Sequence, residues 1–399
     1  MMYTIKLKNQ HTKPISNQTI NIYEKALKQS KFYIKKNILK YNSLRNFDFG
    51  ANQRDNVSCL SSFFCHRVLL EYNMINEILK IHSYSKVEKY IQEIFWRIYW
   101  KGWLEIRPEV WDNFLLDLNE IKYDKFAYED AINARTNISC FNDWVLEIKR
   151  EGYLHNHTRM WFASIWIFTL NLPWQLGAKF FLKYLKDGDA ASNTLSWKWV
   201  AGLQTKGKHY LANSQNIAKY TNNRYTEIKL NQTAVAKNEI FIPSIRKLPE
   251  FQNGKLYSNI IIMDTDLFIH DRLDLLNKYN NVYIVFLKND DRKIKLSNNV
   301  INFKKELLKD IIYYLPNSKL IDSTNLKNAV SNLEGIDIIY PNIGENLDFI
   351  SKKCVELKLK TNFLYRELDL FSWQFCEKGF FKFKQKIPNI IKHIKSLNF

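Results

Sequence analysis

Cysteine is scarce: Cys59, Cys65, Cys140, Cys354 and Cys376 are five in 399 residues, an odd number, in apolar surroundings. None is spaced C-x-x-C, so a disulfide framework lacks its signature and the five read as reduced core residues of a cytoplasmic protein. Metal-ligand patterns are missing too, because the eight histidines form no H-E-x-x-H and no Cys/His cluster. No apolar run is long enough to span a bilayer, the longest lying near Met160–Leu170, and Met1–Lys8 is too short and polar for a signal peptide. No internal repeat is present. Acidic residues are the minority. The 40 Asp and Glu stand against 59 Lys and Arg, and the formal charge of +19 points to an anionic partner, nucleic acid before a membrane surface. Lysine, asparagine and isoleucine are abundant throughout, so dispersed lysines are also what a plain solvated surface carries.

With 46% hydrophobic and 15% aromatic residues the chain is globular and long enough for two domains. From about Tyr23 to Tyr220 apolar residues recur at helical spacing, as in Ile22–Tyr41, Val68–His82 and Val87–Trp103, without strand-like alternation. From about Leu256 short apolar runs alternate with amphipathic segments: Ile260–Met263, Val282–Phe286, Ile336–Tyr340 and Asn362–Tyr365. That alternation predicts a parallel α/β sheet. The expected organisation is a helical domain over 1–220, a polar linker over 221–255 that carries Pro243 and Pro249, and an α/β domain over 256–399.

The densest chemistry lies between Gly152 and Val200, which reads G-Y-L-H-N-H-T-R-M, then D-G-D-A-A-S-N, then S-W-K-W-V. Met160–Leu172 is apolar nearly all round and predicts a buried helix, so the polar residues at its ends face a core. A buried Arg159 must be paired, and Asp187 and Asp189 are its candidates. Residue by residue, an ion pair and a helix N-cap at D-G-D would suffice. The order of the whole constellation says more.

It resembles the flavin-binding core of the DNA photolyase and cryptochrome superfamily. Asn156, Arg159 and Met160 match its H-N-R-x-R-M element, with His157 in place of the first arginine; Asp187 and Asp189 match the pair that holds the central part of FAD; Asn193 falls where the residue facing flavin N5 lies. A neutral amide there is photolyase-like. Upstream, Ser58, Leu60 and Ser61 are similar to the family's S-x-L-S stretch, while Glu93, Trp96 and Arg97 resemble E-L-x-W-R-E-[FY], with Tyr90 as a further aromatic near the cofactor. Taken alone, the two serines would be an N-cap, and Glu93 with Arg97 an ordinary i,i+4 pair.

The resemblance implies that Arg97 touches the flavin phosphates and that Arg159 pairs with Asp187 beside the isoalloxazine. Glu93, Trp96, Asn156, Met160 and Trp199 would line a hole for a flipped-out pyrimidine dimer. Trp197 and Trp174 would start an electron-transfer chain; its third member is not evident, with Trp111, Tyr123 and Tyr128 nearby. Lys206 and Lys208 are candidate phosphate contacts. The implied activity is light-driven splitting of cyclobutane dimers in UV-damaged DNA by electron transfer from reduced FAD, in a monomer without metal or membrane. A light receptor that does not repair, or repair of (6-4) products, is the alternative.

The implied fold is an all-α FAD-binding photolyase-type domain followed by a Rossmann-like α/β domain. That order is permuted: D-L-x-x-H-D at Asp266–Asp271 and K-G-F-F-K-F-K-Q-K-I-P at Lys378–Pro388 resemble the start and end of the family's antenna domain, which normally comes first. An antenna chromophore of unknown identity is the further cofactor implied. A phosphatase-type D-x-D at Asp264 and Asp266 is the competing reading, and Phe268 stands where that motif needs Thr.

Overall fold

Five short runs of residues with extended backbone pair into one parallel sheet: β1 (Asn259–Met263), β2 (Asn281–Phe286), β3 (Ser318–Asp322), β4 (Gly335–Ile339) and β5 (Lys360–Leu364), in the order β3-β2-β1-β4-β5. The molecule is a computed structural model describing residues 21–252 and 254–397. Met1–Lys8, read above, lies outside the described residues. Register is set by Ile260↔Val282 and Ile262↔Ile284 on one side of β1 and by Ile261↔Ile338 on the other. All five residues of β1 and of β4 are buried, as the middle of a sheet covered on both faces requires. β3, Ser-Lys-Leu-Ile-Asp, was not among the four strands expected. It is an edge strand, half exposed, whose polar residues hide its extended character.

The described residues from Ile22 to Tyr220 form helices and no strand. Their axis is the helix Tyr84–Ile106, buried on most of its circumference. At Gly102 it meets the helix Glu367–Trp373 so closely that a Cβ would collide with Trp373 and Cys376. The last helices of the chain, Glu367–Trp373, Phe380–Lys384 and Ile387–Ser396, thus leave the sheet and pack on the helical body. One face of the sheet shares a continuous core with that body, through Ile260, Ile262, Val282 and Ile284. The other face carries a separate cluster built on Ile261, Met263, Ile336, Phe349 and Ile350.

Buried charges join the halves. Arg67 donates two hydrogen bonds to Asp369, at 2.6 and 2.7 Å, and a third to Glu71 at 3.2 Å; Arg366 binds both oxygens of Asp266 at 2.7 and 2.9 Å and also bonds Asp271. Such a network has to be complete, because one missing partner strands a charge in the interior. Residues 221–252 form a strap along helix ends: Asn231 bonds Phe168 and Thr169, the Lys237 amide bonds Ala201 and Arg246 bonds Glu105 and Ile106. Among the described residues no helix is long and apolar enough to cross a membrane.

Candidate functional site

The helix Ala190–Ala201 begins at Asp189, whose carboxylate accepts the Ser192 amide at 2.8 Å, so the D-G-D turn is an N-cap as its residue types suggest. The second oxygen of Asp189 accepts from Arg97 at 2.8 Å, and Asp187 accepts from Arg159 at 2.9 Å. Two Asp/Arg pairs from three segments therefore meet around one turn. Glu93 and Arg97, four apart on the long helix, do not pair: Glu93 takes Arg45 at 2.8 Å, leaving Arg97 for Asp189. Burial alone would raise both aspartates, but Arg159 holds Asp187, and Arg97 with Lys101 holds Asp189, below the usual carboxylate range. Both stay ionised at neutral pH.

The pairs are not sealed. Arg159, Arg97 and Asp189 keep 22, 15 and 15% of their side-chain surface open, so the pairs are within reach of a ligand and not locked in a closed core. The Ser61 hydroxyl faces Asp187 and helps to hold it ionised. Leu60 is fully buried and takes the N-cap position of the helix Ser61–Cys65, which has no side-chain cap; neither serine is used as one. Tyr90 is buried between Tyr33 and Tyr41, with its hydroxyl near Ser58. Asn193 is buried and its Nδ2 donates to the Ala178 carbonyl at 2.9 Å, which leaves Oδ1 as an acceptor.

Asn156 is exposed and Met160 half-buried on the helix Asn156–Ser164, while Glu93 and Trp96 are half-buried on the long helix. Glu93 is raised by burial, with Arg45 drawing it back. The helix expected over Met160–Leu172 is not α throughout: it passes at Ile165 into a π-helical turn, Ile165–Thr169, a local device that recurs at functional sites. His157, in the arginine position, points inward, its Nδ1 on the Asn46 carbonyl and its ring on Trp161; burial lowers its pKa and keeps it neutral. It offers the site no positive charge.

Trp197 and Trp174 are both buried, yet no ring contact joins them among the described residues. Trp199 is half-buried and stacks on Tyr210. Lys206 and Lys208 are exposed. Three contributors were not among the expected site residues: Arg45 on Glu93, Tyr153 with Arg54 and Arg159 over its ring at 4.6 and 5.4 Å, and Phe380 stacked on Trp96. Only tertiary packing brings Arg45 and Phe380 here, so no local spacing announces them.

Residues 90–250 match the family described as the FAD binding domain of DNA photolyase. That segment is similar to the photolyase and cryptochrome superfamily. Among its relatives, the deoxyribodipyrimidine photo-lyase of Buchnera aphidicola subsp. Baizongia pistaciae is 29% identical over 198 residues, 47% of this chain and 40% of the relative. That of Streptomyces griseus is 31% identical over 119 residues, 30% of this chain and 26% of the relative. The chain thus spans less than half the length of the curated photo-lyases it matches. A solved bacterial class III photolyase from Agrobacterium tumefaciens shares 22% identity, with a TM-score of 0.44 over 50% of this chain and 42% of that one.

The superfamily's cofactor fits what is here. Two partly open arginines, the Ser61 hydroxyl beside Asp187 and the amide oxygen of Asn193 form a donor and acceptor set suited to a phosphate-bearing, amide-containing ring system. A cavity lies at the carboxyl ends of β1 and β4, where strand order reverses, and its other wall is Lys101 and the Gly188–Ala191 turn of the helical body. Thr265 Oγ1, Arg292 Nη2 and Asn342 Oδ1 line it, buried and without partners. Asp264 and Asp266, the D-x-D pair, are engaged by Lys304 with Asn346 and by Arg366 respectively.

Proposed function

We propose that this chain is a light-driven DNA repair flavoprotein that splits cyclobutane pyrimidine dimers, with FAD in the cleft between Arg97, Arg159, Asp187, Asp189 and Asn193. The observation that supports the reading is that Glu93, one turn before Arg97 on the long helix, and Trp96 beside it are only half-buried, while the Arg97–Asp189 and Arg159–Asp187 pairs also keep part of their surface open. When bound and reduced, FAD supplies the light-absorbing electron donor. The chain's own residues do the rest. Arg97 and Arg159 neutralise phosphate or ring oxygens without losing their aspartates, and Asn193 Oδ1 accepts a ring N–H. Glu93, raised by burial, can donate or accept at a base edge. Trp96 and Trp199 supply apolar walls, and Met160 a soft contact that admits an extruded lesion. Lysines such as Lys206 and Lys208 hold the phosphodiester backbone.

In this reading the α/β part is an antenna domain placed after the catalytic one, its chromophore taking the cavity at the β1 and β4 edge, and the protein acts as a monomer in the cytoplasm. The rival is a flavin light receptor without repair. It is favoured by Phe380 against Trp96 and Arg45 on Glu93, which occupy groups a lesion would use. One experiment separates them. Protein with reduced flavin is mixed with a dimer-containing oligonucleotide, in blue light and in darkness, and intact dimers are counted; repair predicts their light-dependent loss. Unchanged dimers beside bound flavin would leave the receptor standing. A flavin absorbance spectrum without a second chromophore would remove the antenna assignment.

A further inference from the structure

We propose that, with oxidised flavin bound, the electron vacancy created on Trp197 leaves through Trp166 and Tyr128 to Tyr123 at the surface, and bypasses Trp174. The inference rests on the reading above for its acceptor and goes beyond it in assigning the route. Trp197 is one turn beyond Asn193 on the same helix, and it lies so near Gly177 that a Cβ there would collide with its indole. The rings in contact with it are Phe181 at 5.1 Å, Trp166 at 6.1 Å and Phe162 at 6.4 Å. Benzene rings are far harder to oxidise than indoles or phenols, so of these only Trp166 can carry the charge onward.

From Trp166 the contacts continue to Tyr128 at 6.0 Å and from Tyr128 to Tyr123 at 5.3 Å, and Tyr123 is 37% exposed. Electron tunnelling falls steeply with distance, so touching redox-active rings make an efficient path. Trp166 sits in the π-helical turn and donates its N–H to the Pro173 carbonyl at 2.9 Å, whose dipole favours positive charge on the indole. Tyr128 has the Glu129 carboxylate nearby, which also favours a vacancy and helps raise its phenol to about 12, after burial and Tyr123. The order is downhill at neutral pH, because a phenol that sheds its proton on oxidation is easier to oxidise than an indole cation.

Trp174 is disfavoured by the same physics. It has no ring contact with Trp197 among the described residues, and the Lys198 ammonium lies 5.3 Å over its ring, only partly offset by Glu239. Tyr184, another exit near Tyr128, is covered by the ammonium groups of Lys149 and Lys183 at 5.6 and 5.1 Å. The step balances. Under light one electron passes from Tyr123 through Tyr128, Trp166 and Trp197 to the flavin, which is reduced by one electron. Tyr123 is oxidised and gives its phenolic proton to water; an added thiol later returns the electron.

The test illuminates the full-length, flavin-bound chain and freezes it for electron paramagnetic resonance. The wild type should show a neutral tyrosyl radical, altered in line shape and lifetime in Tyr123→Phe, where the vacancy stops at Tyr128, and lost in Tyr128→Phe, at unchanged flavin absorbance, with radical yield lost in Trp166→Phe. Tyr123 is at the surface, so its variant reads the route even if the buried Trp166 variant misfolds. A tyrosyl signal untouched in both tyrosine variants, or a yield abolished by Trp174→Phe and kept in Trp166→Phe, overturns the assignment. A wild-type chain that binds no flavin overturns the proposed function and this route with it.

Discussion

The indole of Trp96 lies flat on the ring of Phe380, centroids 3.5 Å apart and planes 9° from parallel. Backbone carbonyls hold the arriving segment in place: Tyr99 donates to Lys378 at 3.0 Å and Arg107 to Glu377 at 2.6 Å. The C-terminal helices thereby fix the rotamer of a residue in the candidate lesion wall. Phe380→Ala should cost about 3 kcal/mol, as buried Phe truncations do, measured by denaturant unfolding. It should also make Trp96 fluorescence more quenchable by iodide and weaken binding to a dimer-containing oligonucleotide, while flavin content stays unchanged. Unaltered binding would show that the Trp96 ring is not part of the wall.

Glu93 is balanced between burial, which raises it, and Arg45, which lowers it. Arg45→Met should therefore raise its pKa further, and the pH dependence of dimer binding should move upward with it. Glu93→Gln keeps the shape but fixes one donor and one acceptor, and should weaken lesion binding by about 1–2 kcal/mol, read by fluorescence anisotropy against undamaged DNA. A Glu93→Ala protein with full flavin and full repair would refute the assignment of Glu93 to the lesion.

Asp187→Ala strands Arg159 beside Ser61. The loss of a largely buried pair should cost about 3 kcal/mol and cost the protein its flavin, seen as lost visible flavin absorbance. Asp187→Asn, which can still accept from Arg159, should retain part of both.

His155 caps the helix Asn156–Ser164: its Nδ1 accepts the His157 amide at 3.3 Å, which requires that nitrogen unprotonated. Burial lowers its pKa to about 4, against the pull of Asp48. With the folded value below the unfolded one, the unfolded chain binds the extra proton first. The stabilisation is thus complete above pH ~6.5 and is lost as pH falls toward about 4, a total of about 3 kcal/mol. Melting temperature should fall across that window, and His155→Asn, which can cap without titrating, should flatten the fall.

Most of the helical half was legible, because its apolar stripes recur at helical spacing and its site residues sit in ordered motifs. The Asp187 and Arg159 pair could be read from the rule that a buried guanidinium needs a carboxylate. What escaped has physical reasons. The strand Ser318–Asp322 lies at an exposed edge, where no alternation is required. The π-turn at Ile165–Thr169 leaves no mark in an apolar run. Arg45 outcompetes Arg97 for Glu93 because Asp189, far along the chain, claims Arg97. Phe380 reaches Trp96 only because the end of the chain folds back.

The charge clamp of Arg67 with Asp369, held on a C-terminal half that Arg366 and Asp266 brace from within, makes the linker mechanically redundant. A protease that cuts the exposed strap near Lys229 or Lys247 should give two fragments that still elute as one particle and melt in a single cooperative transition, because separating them would part the buried Arg67 and Asp369. The same arithmetic forbids the reverse: neither half, expressed alone, should be soluble and monomeric. A chain so joined tolerates reordering of its parts, since its integrity lies in side-chain charge and not in the peptide between them.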